Sequence, residues 1–163
     1  MADAPIMQGS ARTTIAAPPE TVYGLVAQIE RMGEWSPECE RGEWDEGAAA
    51  PEVGTWFTGH NRIGGFEWQT RSEVVAADPG RELAWTVGGR EHPITTWRYT
   101  FAPSGEGGTD VEESFVVHVV PPPLRGNTEE QLRQREMGLQ AACGETLEKL
   151  KAAAEALHRS QPG

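Results

Sequence analysis

Apolar and polar positions along this chain keep a period of 2, then 3.6, then 2 again over a long stretch, and finally 3.6 to the end. Arg12 to Ala17 reads as a short strand, ending where Pro18 and Pro19 cannot continue a ladder while their fixed φ suits the opening of a helix. Val22, Leu25, Val26 and Ile29 then fall at i, i+3, i+4 and i+7, one apolar stripe, with Glu20 near the positive helix end. Gly33 and Ser36-Pro37 close that helix. Trp35 lies in the turn, where a large ring beside a proline is expected to cover a core.

From Cys39 onward the pattern is that of hairpins. Cys39 to Trp44 predicts a short edge strand, and Gly47 to Gly54 a loop of small residues. Trp56 to Arg62 and Phe66 to Ala76 flank Gly64-Gly65, a pair able to take the positive φ of a tight turn. Asp78-Pro79-Gly80, Gly88-Gly89 and Ser104 to Gly108 mark the following turns, and Val111 to Val120 the last strand. The expectation is a six-strand meander plus the opening strand, seven in all.

Residues two apart in a strand share a face. One face collects Phe57, Gly59 and Asn61; Phe66, Trp68, Thr70, Ser72 and Val74; Leu83, Trp85 and Val87; Trp97, Tyr99 and Phe101; and Val111, Glu113, Phe115, Val117 and Val119. The other carries Thr58, His60, Arg62, Glu67, Gln69, Arg71, Glu73, Arg98 and Thr100. Such one-sided alternation predicts an antiparallel sheet with one wet face.

The cover for the dry face is the last segment. After Pro121-Pro122-Pro123, Asn127 or Thr128 can cap a helix that runs to about Leu157, with Glu129 and Glu130 in its first turn. Leu132, Leu139, Cys143, Leu147, Leu150, Ala154 and Leu157 form its stripe. About 30 helical residues span roughly 45 Å, enough to cross a whole sheet diagonally. Gly138 and Gly144 each cost about 1 kcal/mol relative to Ala inside a helix, which predicts close backbone approach, a bend, or room for a ligand there.

The segments IAAPPETVYGLVAQIERMGEWSPE, VGTWFTGHNRIGGFEWQT, SEVVAADPGRELAW and GGTDVEESF, followed by the long helix, resemble the START-like (SRPBCC) superfamily. Within it the likeness is to the polyketide cyclase/dehydrase and lipid-transport-type proteins, over residues 10 to 157. The resemblance implies an α+β helix-grip (START/Bet v1-like) fold, a seven-stranded curved antiparallel sheet around a long C-terminal helix with a deep cavity between them. It also implies a hydrophobic ligand such as a lipid, sterol or polyketide, and no particular reaction. The expected organisation is a flexible 1–9, a single domain over 10–158, and a flexible 159–163.

A pocket of this kind is mostly apolar with a few directed polar groups. The expected lining is Phe57, Asn61, Trp68, Thr70, Ser72, Trp85, Trp97, Tyr99, Glu113, Phe115, Leu139 and Cys143. Glu113 is the sharpest candidate, since desolvation raises a carboxyl pKa and turns it into an acid or base. Two readings of it stand side by side: a pocket group, or a residue near the open end of the sheet, hydrated or paired with an arginine. Asn61 either holds a ligand oxygen or satisfies its hairpin, and Pro121 to Asn127 is placed to gate the mouth. Catalytic candidates, should there be a reaction, are Glu113, Tyr99 and Asn61.

Charge and composition narrow the partners. The 163 residues carry 14 Lys plus Arg against 25 Asp plus Glu, a net charge of -11, which repels nucleic acid and anionic headgroups. Neither an apolar leader nor a stretch long enough to span a bilayer is visible, so a cytoplasmic protein without stable membrane insertion is expected, as monomer or homodimer. Cys39 and Cys143 have no metal or redox spacing, and the four histidines lie on different elements, so neither a metal nor another cofactor is expected. Three functions remain: a carrier or sensor of a hydrophobic small molecule, a cyclase/dehydratase-like enzyme using the same cavity, or a protein-interaction module.

Overall fold

The computed structural model describes residues 4–161. The elements run β1 (Met7–Ile15), α1 (Pro19–Val26), β2 (Cys39–Trp44), β3 (Trp56–Ile63), β4 (Phe66–Asp78), β5 (Glu82–Val87), β6 (Thr95–Pro103), β7 (Thr109–Val117) and α2 (Glu129–Ser160), with a 3₁₀ helix over Ile29–Glu34 after α1. The strands form one antiparallel sheet in the order β1-β7-β6-β5-β4-β3-β2. The hairpin meander therefore runs unbroken from β2 to β7, and β1 joins the far side of β7.

Most sequence-derived boundaries fall within a few residues of these, and the differences have physical causes. Strand β1 starts at Met7 rather than Arg12, so residues 7–9, expected to be flexible, pair with the end of β7. The polar run Gln8, Gly9, Ser10 hides this strand because its inward positions are small: Gly9 lies against the Phe115 ring and the Gln140 side chain, where a Cβ has no room. Strand β7 stops at Val117, which leaves Val119 half exposed. Gly88 and Gly89 both take positive φ, as expected of a turn, yet they open a seven-residue connection to Thr95 rather than a two-residue hairpin. A register shift between Val74 and Ala76 marks a bulge in β4, the kind of irregularity that bends a long strand and increases its twist.

Helix α2 begins with a capping box: Thr128 Oγ1 accepts from the Gln131 amide at 3.2 Å, and Gln131 Oε1 accepts from the Thr128 amide at 2.8 Å. Its buried face is Leu139, Cys143, Thr146, Leu147, Leu150 and Ala154. Leu132 and Leu157, at the ends of the expected stripe, stay partly exposed. The helix follows β1 rather than the middle of the sheet. Glu136 accepts from the Gln8 amide at 2.9 Å, Gln140 from the Ser10 amide at 2.8 Å and Glu155 from the Ala16 amide at 2.8 Å, while Lys151 donates to the Thr14 carbonyl at 2.6 Å. Gln140 Nε2 also donates to the Ser10 carbonyl.

Two apolar clusters result. The larger joins α1, Ile29 and Trp35 to Phe57, Leu83, Trp85, Tyr99, Phe101 and Val111 beneath the C-terminal half of α2 at Leu147, Leu150 and Ala154. Trp35 is 2% exposed, a core cover as expected. The smaller contains Met7, Phe115, Val117, Leu139 and Cys143, under the N-terminal half of α2.

Neither helix glycine is a close approach, since a Cβ at Gly138 or Gly144 meets nothing within 4 Å. Gly138→Ala and Gly144→Ala are each expected to raise the unfolding free energy by about 0.5–1 kcal/mol in urea titrations. Gln140→Ala is expected to lower it by about 1 kcal/mol through loss of its bonds to Ser10.

Candidate ligand cavity

Because α2 sits over β1 and β7, the concave middle of the sheet from β3 to β6 is left uncovered beneath its N-terminal half, and a cavity of about 770 Å³ fills the gap. Its walls come from every strand between β3 and β7 and from α2 at Arg135, Leu139, Ala142, Cys143 and Thr146. The opposite end is closed by the larger core cluster around α1 and Trp35. The mouth is rimmed by the tip of the β3–β4 hairpin and by Pro121, Pro122, Pro123 and Leu124. There Phe66 stacks on Trp68 with ring centroids 5.5 Å apart, and Ile63 and Phe66 are 47% and 56% exposed.

Eleven of the twelve expected lining residues border this space: Phe57, Asn61, Trp68, Thr70, Ser72, Trp85, Trp97, Tyr99, Glu113, Leu139 and Cys143. Phe115 does not. It is 1% exposed and packs in the smaller core cluster against Trp97 and over Gly9 of β1, where its ring fills the space the glycine leaves. The lining also contains Met32, Glu38, Ile94, Thr95, Leu124, Arg135, Ala142 and Thr146, which the sequence reading missed, and Gln69 and Arg71, which alternation assigns to the wet face but which border the space at the open end of β4. Arg135, Ala142 and Thr146 were findable, since they lie at helical spacing beside Leu139 and Cys143.

The polar groups sort by partner. Asn61 Nδ2 donates to the Gly59 carbonyl at 3.3 Å, the Trp68 carbonyl at 3.5 Å and Thr70 Oγ1 at 3.4 Å, so its amide nitrogen serves the hairpin. Arg135 forms a two-pronged pair with Glu38 at 2.7 Å in both arms, tying α2 to the start of β2 beside the mouth. Arg71 is held in the same way by Asp45, at 2.6 and 2.8 Å.

Glu113 is different. It is 6% exposed and faces Tyr99 across the β6–β7 ladder, with Cys143 above it from α2. Among the described residues no arginine reaches it, so the reading as a hydrated or arginine-paired residue at the sheet's open end is set aside. Burial pushes its carboxyl pKa up to about 8, against a weaker downward pull from the Tyr99 hydroxyl and the Cys143 thiol. Its Oε2 has no hydrogen-bond partner. Burial also raises the Tyr99 phenol well above its usual range, and the neighbouring Glu113 adds to that shift. Both cysteines are free and buried; burial moves Cys39 up to about 11 and Cys143 further in the same direction. Neither thiol is ionised at neutral pH, so neither is an activated nucleophile.

Among the described residues no group of three or more His, Cys, Asp or Glu is arranged to hold a metal ion, and no helix is long and apolar enough to cross a membrane.

A curved seven-stranded sheet gripping one long helix over an apolar cavity is the helix-grip architecture of the START-like (SRPBCC) superfamily. The chain belongs to the polyketide cyclase / dehydrase and lipid transport family, whose model matches residues 8–155. It is similar to a polyketide-cyclase-like protein of Corynebacterium glutamicum solved by NMR, with 31% identity over 96% of both chains and a TM-score of 0.64. Crystal structures of proteins from Thermus thermophilus (21% identity, 92% of this chain and 98% of that one, TM-score 0.69) and Nitrosomonas europaea (17%, 96% and 98%, 0.68) share the fold. No curated protein matches the sequence.

The carboxyl of Glu113 makes stability depend on pH with a definite sign. In the unfolded chain it releases its proton near 4.5, and in the folded protein near 8. Between those values the folded state binds more protons than the unfolded state, so stability falls as pH rises. Glu113→Gln is expected to match the wild type near pH 5 and to exceed it by roughly 3–5 kcal/mol at pH 8.5, measured by urea unfolding across that range.

Proposed function

We propose that the protein is a carrier or sensor that binds a hydrophobic small molecule, of lipid or polyketide type, in the cavity between sheet and α2. The observation that carries this reading is the unfilled cavity of about 770 Å³, within the size range of small-molecule sites, in a chain whose six tryptophans could have closed it. Trp35 and Trp44 pack with the larger core cluster instead, and Trp85 and Trp97 pack against that cluster while bordering the space without filling it. The family description, which spans cyclases, dehydrases and lipid transport, supports the same ligand chemistry. The driving force is burial of apolar ligand surface at about 25 cal/mol per Å². The net charge of -11 supports partners other than nucleic acid, and two free buried thiols fit a reducing, cytoplasmic setting.

One observation favours a second reading, an enzyme of the cyclase/dehydratase type. Glu113 and Tyr99 are two proton-bearing groups side by side in the cavity, and a carboxyl titrating near 8 is matched to acid–base work at neutral pH. A reading as a protein-interaction module rests on a core filled by its own side chains, which an open cavity does not supply.

The test is binding of N-phenyl-1-naphthylamine, an uncharged apolar probe, read by its fluorescence. Wild-type protein is expected to bind it saturably at one site. Ala142→Trp, which places an indole in the cavity from α2, is expected to weaken binding more than tenfold while changing unfolding free energy by less than about 1.5 kcal/mol. Met137→Trp, on the 69% exposed face of the same helix, is the control expected to change neither. Absence of saturable binding to the wild type overturns the proposal.

A further inference from the structure

The two halves of α2 stand on different footing. From Leu147 onward its buried positions, Leu147, Leu150 and Ala154, belong to the larger core cluster. Before that, Arg135, Leu139, Ala142 and Cys143 border the cavity. Gly138 and Gly144 lie within and at the end of this cavity-facing half. Each lowers helix stability, and packing requires neither, since a Cβ at either position meets nothing within 4 Å. Neither lines the cavity, so neither makes room for a ligand. Of the three uses a helix glycine offers here, close approach, ligand room and ease of bending, bending is the one left.

The cavity-facing half is fastened along two lines. On one side Glu136 and Gln140 bond the β1 backbone at Gln8 and Ser10. On the other side, among the described residues, one polar tie crosses from the helix to the β2 end of the sheet: the two-pronged Arg135–Glu38 pair, at 2.7 Å in both arms. Both of its residues line the cavity, so the pair spans the opening between the two walls. The side chains are 22% and 19% exposed, sheltered enough to hold and wet enough for the charges to be rehydrated when the pair parts. Glu38, with Ser36 and Cys39, also borders an outer cleft on its far side. Pro121 to Leu124, which rim the mouth, lead within a few residues to Thr128, the capped start of α2. Rim, ion pair and helix are therefore one connected segment. A small-molecule pocket encloses most of its ligand's surface, so passage in or out needs a wider opening than the one that holds the ligand.

We propose that residues 121–143 form a lid over the cavity that turns about its bonds to β1, bends at Gly138 and Gly144, and is latched shut by the Arg135–Glu38 pair. The parting of that pair sets the rate at which ligand is exchanged. This inference rests on the reading of the cavity as a ligand site.

Stopped-flow mixing with N-phenyl-1-naphthylamine tests the lid. Where opening precedes entry, the observed association rate rises with probe concentration to a plateau equal to the opening rate. The wild type is expected to show that plateau. Glu38→Gln and Arg135→Gln are each expected to raise it at least about fivefold, and the double variant no further, because a pair already broken cannot be broken again. Faster association separates a latch from a ligand contact, since loss of a contact speeds dissociation alone. Gly138→Ala/Gly144→Ala, which alters neither latch nor lining, is expected to lower the plateau about three- to tenfold. That variant gains helix stability, so its result decides should a latch variant fail to fold. A linear dependence in the wild type, or a plateau that the latch variants leave unchanged, overturns the lid while leaving the cavity reading intact. Latch effects that simply add in the double variant overturn the role of the pair, and a plateau unchanged by the two alanines overturns the hinge. Failure of the wild type to bind the probe overturns the cavity reading itself.

Discussion

Helix α2 is held to strand β1 by its own polar side chains. An edge strand presents unpaired amides and carbonyls, and here Glu136, Gln140, Lys151 and Glu155 take up those of Gln8, Ser10, Thr14 and Ala16. Each bond adds only about 0.5–1.5 kcal/mol net, but together they fix the translation of the helix along the strand, which apolar contact alone specifies loosely. Once the helix is pinned to one edge, it cannot also cover the centre of a sheet this wide. The empty space in this protein follows from where its longest helix is anchored.

The division of the apolar residues has the same origin. The C-terminal half of α2 reaches α1, Ile29 and Trp35, and there the interior is packed solid. The apolar contacts of its N-terminal half are with Met7, Phe115 and Val117 near β1 and β7, and beyond them the aromatic residues Trp68, Trp85 and Trp97 border the cavity. The Arg135–Glu38 pair then links that half of the helix to the start of β2, so the span of the opening is set by a covalently rigid guanidinium in a two-pronged grip rather than by apolar contact.

How much of this is legible in the sequence depends on the range of the interaction. Strand alternation is local, and by itself it assigns Tyr99 and Glu113 to one face; the β6–β7 register then sets them opposite each other. The glycine and Asp-Pro-Gly breaks locate most of the turns for the same reason. The start of strand β1 escapes because its inward positions are filled from across the molecule, by Phe115 and Gln140 at Gly9. Gln140 and Glu136 look like solvent-facing residues on a helical wheel, and nothing near them in sequence says that a strand edge 130 residues away needs their oxygens. Phe115 illustrates the complementary error, since alternation assigns a face but not whether that face meets a cavity or a neighbour. The isolation of Glu113 is likewise a property of where the two cavity arginines found their carboxylates, Glu38 and Asp45, neither adjacent in sequence.

A fold whose foundation and whose contents lie at opposite ends of one helix can be refurnished without being rebuilt. Positions such as Trp68, Thr70 and Ala142 line the space but take no part in either core cluster, so exchanges there alter what fits inside while the α1 end keeps the chain folded. Such a molecule is a vessel with a replaceable lining. That property gives a physical basis for one architecture serving both to transport lipids and to shape polyketides, with identity residing in a handful of side chains that stability does not constrain.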